Sequence, residues 1–435
     1  MSYTARAALL AAAIIMSQPA SAADLGGNCC ADLEERIAEL EATTARKGNR
    51  KVSLTISGYV AQEVTWWDDG EESNVYLHGL GPTQATHVKF TGQAKISPGW
   101  TAGYTLRIQN LEDNPFGRNA ATGDAMNQFN DNFSTGLNTQ MSYWFIQSET
   151  LGKLSMGRQA NAAKSAAMFT DQSGTQIIDN YTFLAGFPQF YVRSGGDLIP
   201  AVTWGQFAFC YQQGVPLGGD CNGIVMNGVR YDTPTIAGFT ASASWGEDDF
   251  WEVALRYSGE FSGFKVALGA GYSDFTDENV AGPLPVGTVK HSDFFQAGGY
   301  IQHIETGLFL HAAYGYEDNS DTRIGVAQLQ PENGEHWYLK GGIRRKWNAL
   351  GATIVYGDYA EYLDQIGPAA LSLGVTDSTL RRYGGGIAQE IDAAAMTIYL
   401  KYQHYDLDVS GAALDPRLVD FDGADFVSFG GLINF

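Results

Sequence analysis

Nine cations stand at alternating positions of short oily segments: Lys89, Lys95, Arg107, Arg230, Arg256, Lys340, Arg344, Arg382 and Lys401. A long stretch elsewhere holds Asp171, Asp179 and Asp197, interleaved with Lys164 and Arg193. Fixed positive charge on one surface opposite fixed negative charge on another sets up a field across the gap between them. Such a field orders water and sorts dipolar or charged solutes. A rim position, or pairing with Glu252 and Glu390, would account for some of the cations. Only part of the set is expected at the narrowest point.

Catalytic chemistry is harder to assemble. The seven histidines show no i,i+4 pair on a helix, and neither a G-x-S-x-G turn nor a Walker phosphate loop occurs. A hydrolase would need Ser, His and a carboxylate converging on one strand end, and no such set stands out. Nothing in the sequence asks for a cofactor or a metal. Three stretches, Asp68-Asp69-Gly70-Glu71-Glu72, Glu247-Asp248-Asp249 and Asp420-Phe421-Asp422-Gly423-Ala424-Asp425, could hold a hard cation through oxygen ligands. None has helix-loop calcium spacing, and solvated loop acids are the simpler reading.

Charge and composition narrow the class. Among 435 residues, 27 Lys+Arg face 48 Asp+Glu, a net charge of −21, which argues against a nucleic-acid partner. Charged residues make only 17%, against about 25% in ordinary soluble proteins, while glycine reaches 52 residues. Arg6, the apolar run 7–16 and Ala20-Ser21-Ala22 read as a secretory signal over 1–22. Its removal leaves 26 basic and 48 acidic residues, −22, outside the cytoplasm. In an oxidising compartment Cys210 and Cys221 would close a short loop, worth on the order of 3 kcal/mol. That pairing is favoured over free thiols. Cys29 and Cys30, being adjacent, cannot easily bond each other, and an intermolecular role stays open.

The elements that position these groups are strands. Residues 23–50 form a periplasmic segment whose one amphipathic helix, about 31–46, has Leu33, Ile37 and Leu40 at coiled-coil spacing. It is too short to be stable alone. From 51 to 435 the pattern has period 2. On 250–257, Trp251, Val253, Leu255 and Tyr257 oppose Glu252 and Arg256, and on 394–403, Met396, Ile398 and Leu400 oppose Lys401 and Gln403. Sixteen such segments are expected, joined alternately by tight turns and by long acidic loops at 64–84, 111–138, 274–291, 318–334, 361–379 and 406–423. This alternation predicts a sixteen-stranded antiparallel transmembrane β-barrel, all-β in class, rather than a soluble sandwich. The last segment ends on Phe435, as a strand signal for the outer-membrane barrel assembly machinery would.

The run Cys29-Cys30-Ala31-Asp32-Leu33-Glu34-Glu35-Arg36-Ile37-Ala38-Glu39-Leu40-Glu41-Ala42-Thr43 and the following Lys51-Val52-Ser53-Leu54-Thr55-Ile56-Ser57-Gly58-Tyr59 resemble the start of alphaproteobacterial (rhizobial-type) general porins. The likeness continues through Trp66-Trp67-Asp68-Asp69-Gly70 and Val88-Lys89-Phe90-Thr91-Gly92. It implies a homotrimeric channel in the bacterial outer membrane, set in lipid and lipopolysaccharide, passively passing small hydrophilic solutes and ions. It does not carry over selectivity. The net charge by itself favours a mild cation preference at the mouths.

A barrel of about sixteen strands leaves an aqueous lumen that something must narrow. The connection 159–222 is the longest in the chain and too apolar for a solvated loop, with Ile177, Ile178, Tyr181, Phe183, Leu184, Phe187, Phe190 and Tyr191 close together. Its position matches the porin loop that folds inward as the constriction. An external docking surface for a phage or partner is the alternative. A tethering barrel and an outer-membrane hydrolase remain the competing functions.

Overall fold

A computed structural model describes residues 52–81, 84–110, 137–182, 190–246, 250–280, 288–324, 327–328, 331–418 and 420–435. The signal segment, the helix with Leu33, Ile37 and Leu40, and Cys29 and Cys30 lie outside the described residues.

Sixteen strands build the wall. They are β1 (Ser53–Asp68), β2 (His87–Ser97), β3 (Trp100–Asn110), β4 (Leu137–Ser148), β5 (Gly152–Gln159), β6 (Met226–Asp232), β7 (Phe239–Gly246) and β8 (Trp251–Phe261). The second half runs β9 (Phe264–Val280), β10 (Thr288–His303), β11 (Leu308–Asp318), β12 (Asn333–Arg345), β13 (Thr353–Leu363), β14 (Asp377–Ile391), β15 (Met396–Ser410) and β16 (Ala424–Asn434). Each strand pairs antiparallel with the next, and β16 returns to β1 with Tyr59 opposite Asn434 and Asp68 opposite Asp425. Closure leaves the wall no unpaired edge.

The alternation carries through into three dimensions, with the oily face outward. On β8, Leu255 is 50% exposed while Glu252 beside it is 2% exposed. On β12, Trp337 and Leu339 face out while Tyr338 and Lys340 are buried, and β15 repeats this with Leu400 and Lys401. A water-soluble sandwich would bury the apolar face. Here only hydrocarbon can cover it. Tight turns gather at one end, where Gly99 and Gly263 take φ of +76° and +80° that the reversals require.

The structure also corrects loop boundaries, among them the loop start expected at 406, since β15 runs to Ser410. β1 continues to Asp68 and β9 to Val280, through residues whose acidity suggested loops beginning at 64 and 274. Backbone pairing decides this. Val64–Asp68 lie between Phe429–Asp425 on one side and a short strand, Ser73–His78, on the other, and Asp274 pairs with Asp293. The barrel therefore projects as ribbon above the level where its oily band ends.

Leu255→Arg places a guanidinium on the outward face near mid-strand. Folding into lipid vesicles, followed against denaturant, should lose about 2–4 kcal/mol, whereas a soluble sandwich would tolerate an exposed Arg there without loss.

Candidate functional site

The connection between β5 and β6 enters the barrel and follows the inner wall strand by strand. The Ala162 amide donates to Ser244 Oγ on β7 at 2.9 Å, Ala163 to Glu252 Oε2 on β8 at 2.8 Å, and Ala167 to Gln296 Oε1 on β10 at 2.7 Å. On β11, His311 Nε2 lies 3.0 Å from Thr170 Oγ1. Local sequence makes this approach possible. Ala162, Ala163, Ala166 and Ala167 are fully buried, and the last three face glycines of the wall. A Cβ at Gly269 would fall 2.3 Å from the Ala166 carbonyl oxygen, and one at Gly298 2.6 Å from that of Ala167. Strand glycines mark such close backbone approaches.

Further along, ion pairs take over. Lys340 Nζ on β12 donates to Asp171 Oδ2 at 2.9 Å, to Thr175 Oγ1 at 3.0 Å and to the Asp179 carbonyl at 2.7 Å. Arg382 on β14 bonds Asp358 of β13 and the Asn180 carbonyl, and lies 3.5 Å from Asp179 Oδ1. Tyr356 and Gln403 each donate to Asp179 at 2.8 Å. Lys401 on β15 donates to the Ile178 carbonyl at 2.9 Å and pairs with Glu63 of β1 at 3.1 Å. These groups are enclosed between wall and connection. Burial pushes the Asp171 carboxyl up, but Lys340, His311 and a Ser173 hydrogen bond outweigh it and hold it below the ordinary range.

The second half of the connection caps the mouth. A hairpin of Tyr191–Ser194 with Asp197–Thr203 is tied down by Arg193, whose Nε reaches Asp69 Oδ2 at 2.6 Å and whose Nη2 reaches Glu72 Oε2 at 3.1 Å. Gly195 and Gly196 donate to the Asp420 carbonyl and to Asp422 Oδ2. Beneath it Phe190, Val192, Ile199, Trp204 and Phe207 pack with Tyr405, Leu418 and Phe426. Cys210 and Cys221 are joined by a disulfide packed against Phe294, and Gly219 of that turn lies on the His336 ring.

The charged residues singled out in the sequence therefore fall into three groups. Lys340, Arg382 and Lys401 meet Asp171, Asp179 or the backbone beside them in direct contact, with no water gap between wall and loop. Asp197 does not join them and is exposed on the hairpin turn. Arg230 chelates Asp232 and bonds the Ala160 and Asn161 carbonyls, Arg256 donates to the Ala162 carbonyl at 2.7 Å, and Arg344 pairs with Glu390 at 2.7 Å. Lys89 and Arg107 stand opposite each other on the remaining wall. Two carboxylate stretches prove to be anchors for the hairpin, and 247–249 lie outside the described residues. Sequence reasoning missed Glu63, Asp358, Tyr356 and the wall glycines. The inward phase of each strand was the available signal for the two acids.

Removing one partner of a buried pair strands the other, at a cost of about 3–5 kcal/mol. Lys340→Met should make the 160–225 connection sensitive to protease in the folded barrel, and adding Asp171→Leu should restore much of the resistance. The depressed Asp171 carboxyl sets the pH response: docking from this pair is complete above the ordinary aspartate range and lost as pH falls through the lower folded value. Protease sensitivity of the native protein should rise only in strongly acidic solution.

Residues 7–420 match the sequence pattern of Gram-negative porins. No curated protein sequence matches the chain. The fold is similar to an anion-selective porin from Comamonas acidovorans, at 16% identity over 88% of this chain and 100% of that one, TM-score 0.55. It is similar also to OmpF of Salmonella typhi in complex with daunomycin, at 12% identity over 88% and 98%, TM-score 0.52. OmpT, an outer-membrane protein of Vibrio cholerae, matches at 10% identity over 89% and 99%, TM-score 0.51. At these identities the structural likeness speaks for the fold, and the sequence pattern for the family. With a closed sixteen-stranded wall, an outward apolar face and an inward-folded connection, the chain belongs to the Gram-negative porin family of outer-membrane channels.

Proposed function

We propose that this passive outer-membrane channel is a general diffusion porin whose constriction is formed by the connection 159–222. The observation that carries the reading is the one-sided docking of that connection. It occupies the wall from β7 to β15, so the passage for solutes runs between it and β1–β5, where Lys89 and Arg107 are only half-buried. Lys89 and Arg107 are its proposed lining cations on that open side; Arg230, Arg256 and Arg344, also read from the sequence as lining cations, stand on the docked wall, where they bond the connection or Glu390. Lys340, Arg382 and Lys401, with Asp171 and Asp179, hold the constriction in place. Asp197 contributes at the mouth.

The working unit is a homotrimer of the alphaproteobacterial type, its helices meeting through Leu33, Ile37 and Leu40 on the periplasmic side. Outer-membrane lipid and lipopolysaccharide would cover the rest of each apolar wall. Phe435, exposed at the end of β16 with its amide bonded to the Gly58 carbonyl, suits a strand-end signal for barrel assembly.

Planar-bilayer recording of the purified protein should show discrete open steps without energy input, and deletion of 171–180 should raise the step size, because the narrowest section dominates the resistance. A folded barrel that never conducts would refute the channel, and an unchanged step after the deletion would place the constriction elsewhere. Crosslinking should trap trimers. Stable monomers alone would refute the assembly.

A further inference from the structure

We infer that the outer rim of the barrel carries a site for one first-row divalent metal ion, held by His291, Asp274 and Asp293. The inference stands apart from the channel reading.

Strand register puts the three side chains together. Asp274 on β9 lies directly opposite Asp293 on β10, and His291 precedes Asp293 by two residues, on the same face of the ribbon. Asp274 is the eleventh residue of β9 from the tight-turn end, and about 9–11 residues cross the hydrocarbon. The trio therefore stands on the outward face, at the level where lipid gives way to water. The side chains of His291, Asp274 and Asp293 are 36%, 20% and 34% exposed, which leaves an ion a path in.

The same register creates a charge excess. Asp318 on β11 lies opposite Asp293, so three carboxylates form one row across β9, β10 and β11. Like charges so placed destabilise a sheet. Asp318 turns one oxygen away, its Oδ1 accepting the Ser320 amide at 2.9 Å. Arg323, opposite Val289 further out along the ribbon, forms no ion pair among the described residues. His291 can supply at most one positive charge. A divalent ion balances both carboxylates that touch it.

Donor geometry fits coordination better than hydrogen bonding. His291 Nε2 lies 3.5 Å from Asp274 Oδ2 and 3.8 Å from Asp293 Oδ1. Both distances exceed the roughly 2.7–3.2 Å of an N–H···O bond. The three ligand atoms all lie within 4.8 Å of one another. Metal–ligand bonds of about 2.0–2.2 Å give a tetrahedral edge of about 3.3–3.6 Å, so small side-chain shifts admit an ion. Asp293 Oδ1 is shut off from solvent and has no hydrogen-bond partner, a free acceptor where a ligand atom is needed. The Tyr272 hydroxyl bonds the same carboxylate and steadies it.

The far side of the imidazole is provided for as well. Thr322 Oγ1 donates to the His291 carbonyl at 2.8 Å and pins the turn after β11 onto β10. That turn brings Asp321 Oδ2 to 3.4 Å from His291 Nδ1. A carboxylate there holds the ring proton on Nδ1 and leaves the Nε2 lone pair for a metal. One imidazole with two carboxylates suits Zn²⁺ and its first-row neighbours, whereas Ca²⁺ takes six to eight oxygens.

The test is titration with Zn²⁺ of the full chain, folded in detergent and freed of metal with EDTA, read by calorimetry. One ion per chain should bind, and equimolar Ca²⁺ should not displace it. Asp274→Asn, His291→Gln and Asp293→Asn should each weaken binding by about tenfold or more, since even an outer partner is worth that much. His303→Gln, at a tight turn where Nδ1 lies 2.9 Å from Thr306 Oγ1, should leave it unchanged. Zn²⁺ should also shield His291 of the native protein from diethyl pyrocarbonate, mapped by mass spectrometry, a readout that needs no variant to fold. No saturable binding, displacement by Ca²⁺, folded variants that bind as the native chain does, or an unshielded His291 would each overturn the site.

Discussion

The docking of one connection onto the inner wall is the contact on which the rest of this molecule depends. Without it, a sixteen-stranded wall encloses a wide and undiscriminating hole. With it, two modes of attachment divide the work. Alanines on glycines bring backbone against backbone at β9 and β10, where any larger side chain would collide. Buried ion pairs then fasten the tip to β12–β15, where Lys340, Arg382 and Lys401 each find an oxygen on the connection. Pairs of this kind add little net stability over an apolar contact, yet breaking one is costly. They specify position more than they strengthen the fold.

Charge is consequently used in two ways inside one lumen. On the docked side, opposite charges meet and cancel, so they govern the shape of the passage. On the other side, Lys89 and Arg107 are cross-strand partners on the wall that the connection leaves open. Net charge describes neither side. The acid excess includes residues of the ribbon and hairpin region, such as Asp69, Glu72 and Asp422, and these hold the hairpin over the mouth.

Burial has an unusual sense here. The cluster around Trp204, Phe207 and Tyr405 lies inside the barrel, under the hairpin, while the largest apolar band is exposed on the outside. Both follow from one constraint. A wall facing lipid must present its oily residues outward, and an interior facing water can host a hydrophobic core only where a folded segment brings its own apolar side chains in. The Cys210–Cys221 crosslink belongs to that segment.

Period-2 alternation, the tight turns and the terminal aromatic strand sufficed, from sequence, for the sixteen strands, their order and their outward face. These are short-range properties, written in neighbouring residues. The sequence also marked the connection 159–222 as too apolar to be solvated. Tertiary structure alone decided what that segment touches, because Lys340 and Asp171 lie 169 residues apart and no local pattern links them. It decided likewise that Asp274 continues a strand, since pairing with Asp293 satisfies backbone groups whatever the side chain's polarity. And it separated the cations, equivalent in sequence, into those that bind the loop and those that face the passage. Inward phase is local, but the partner across the barrel is not.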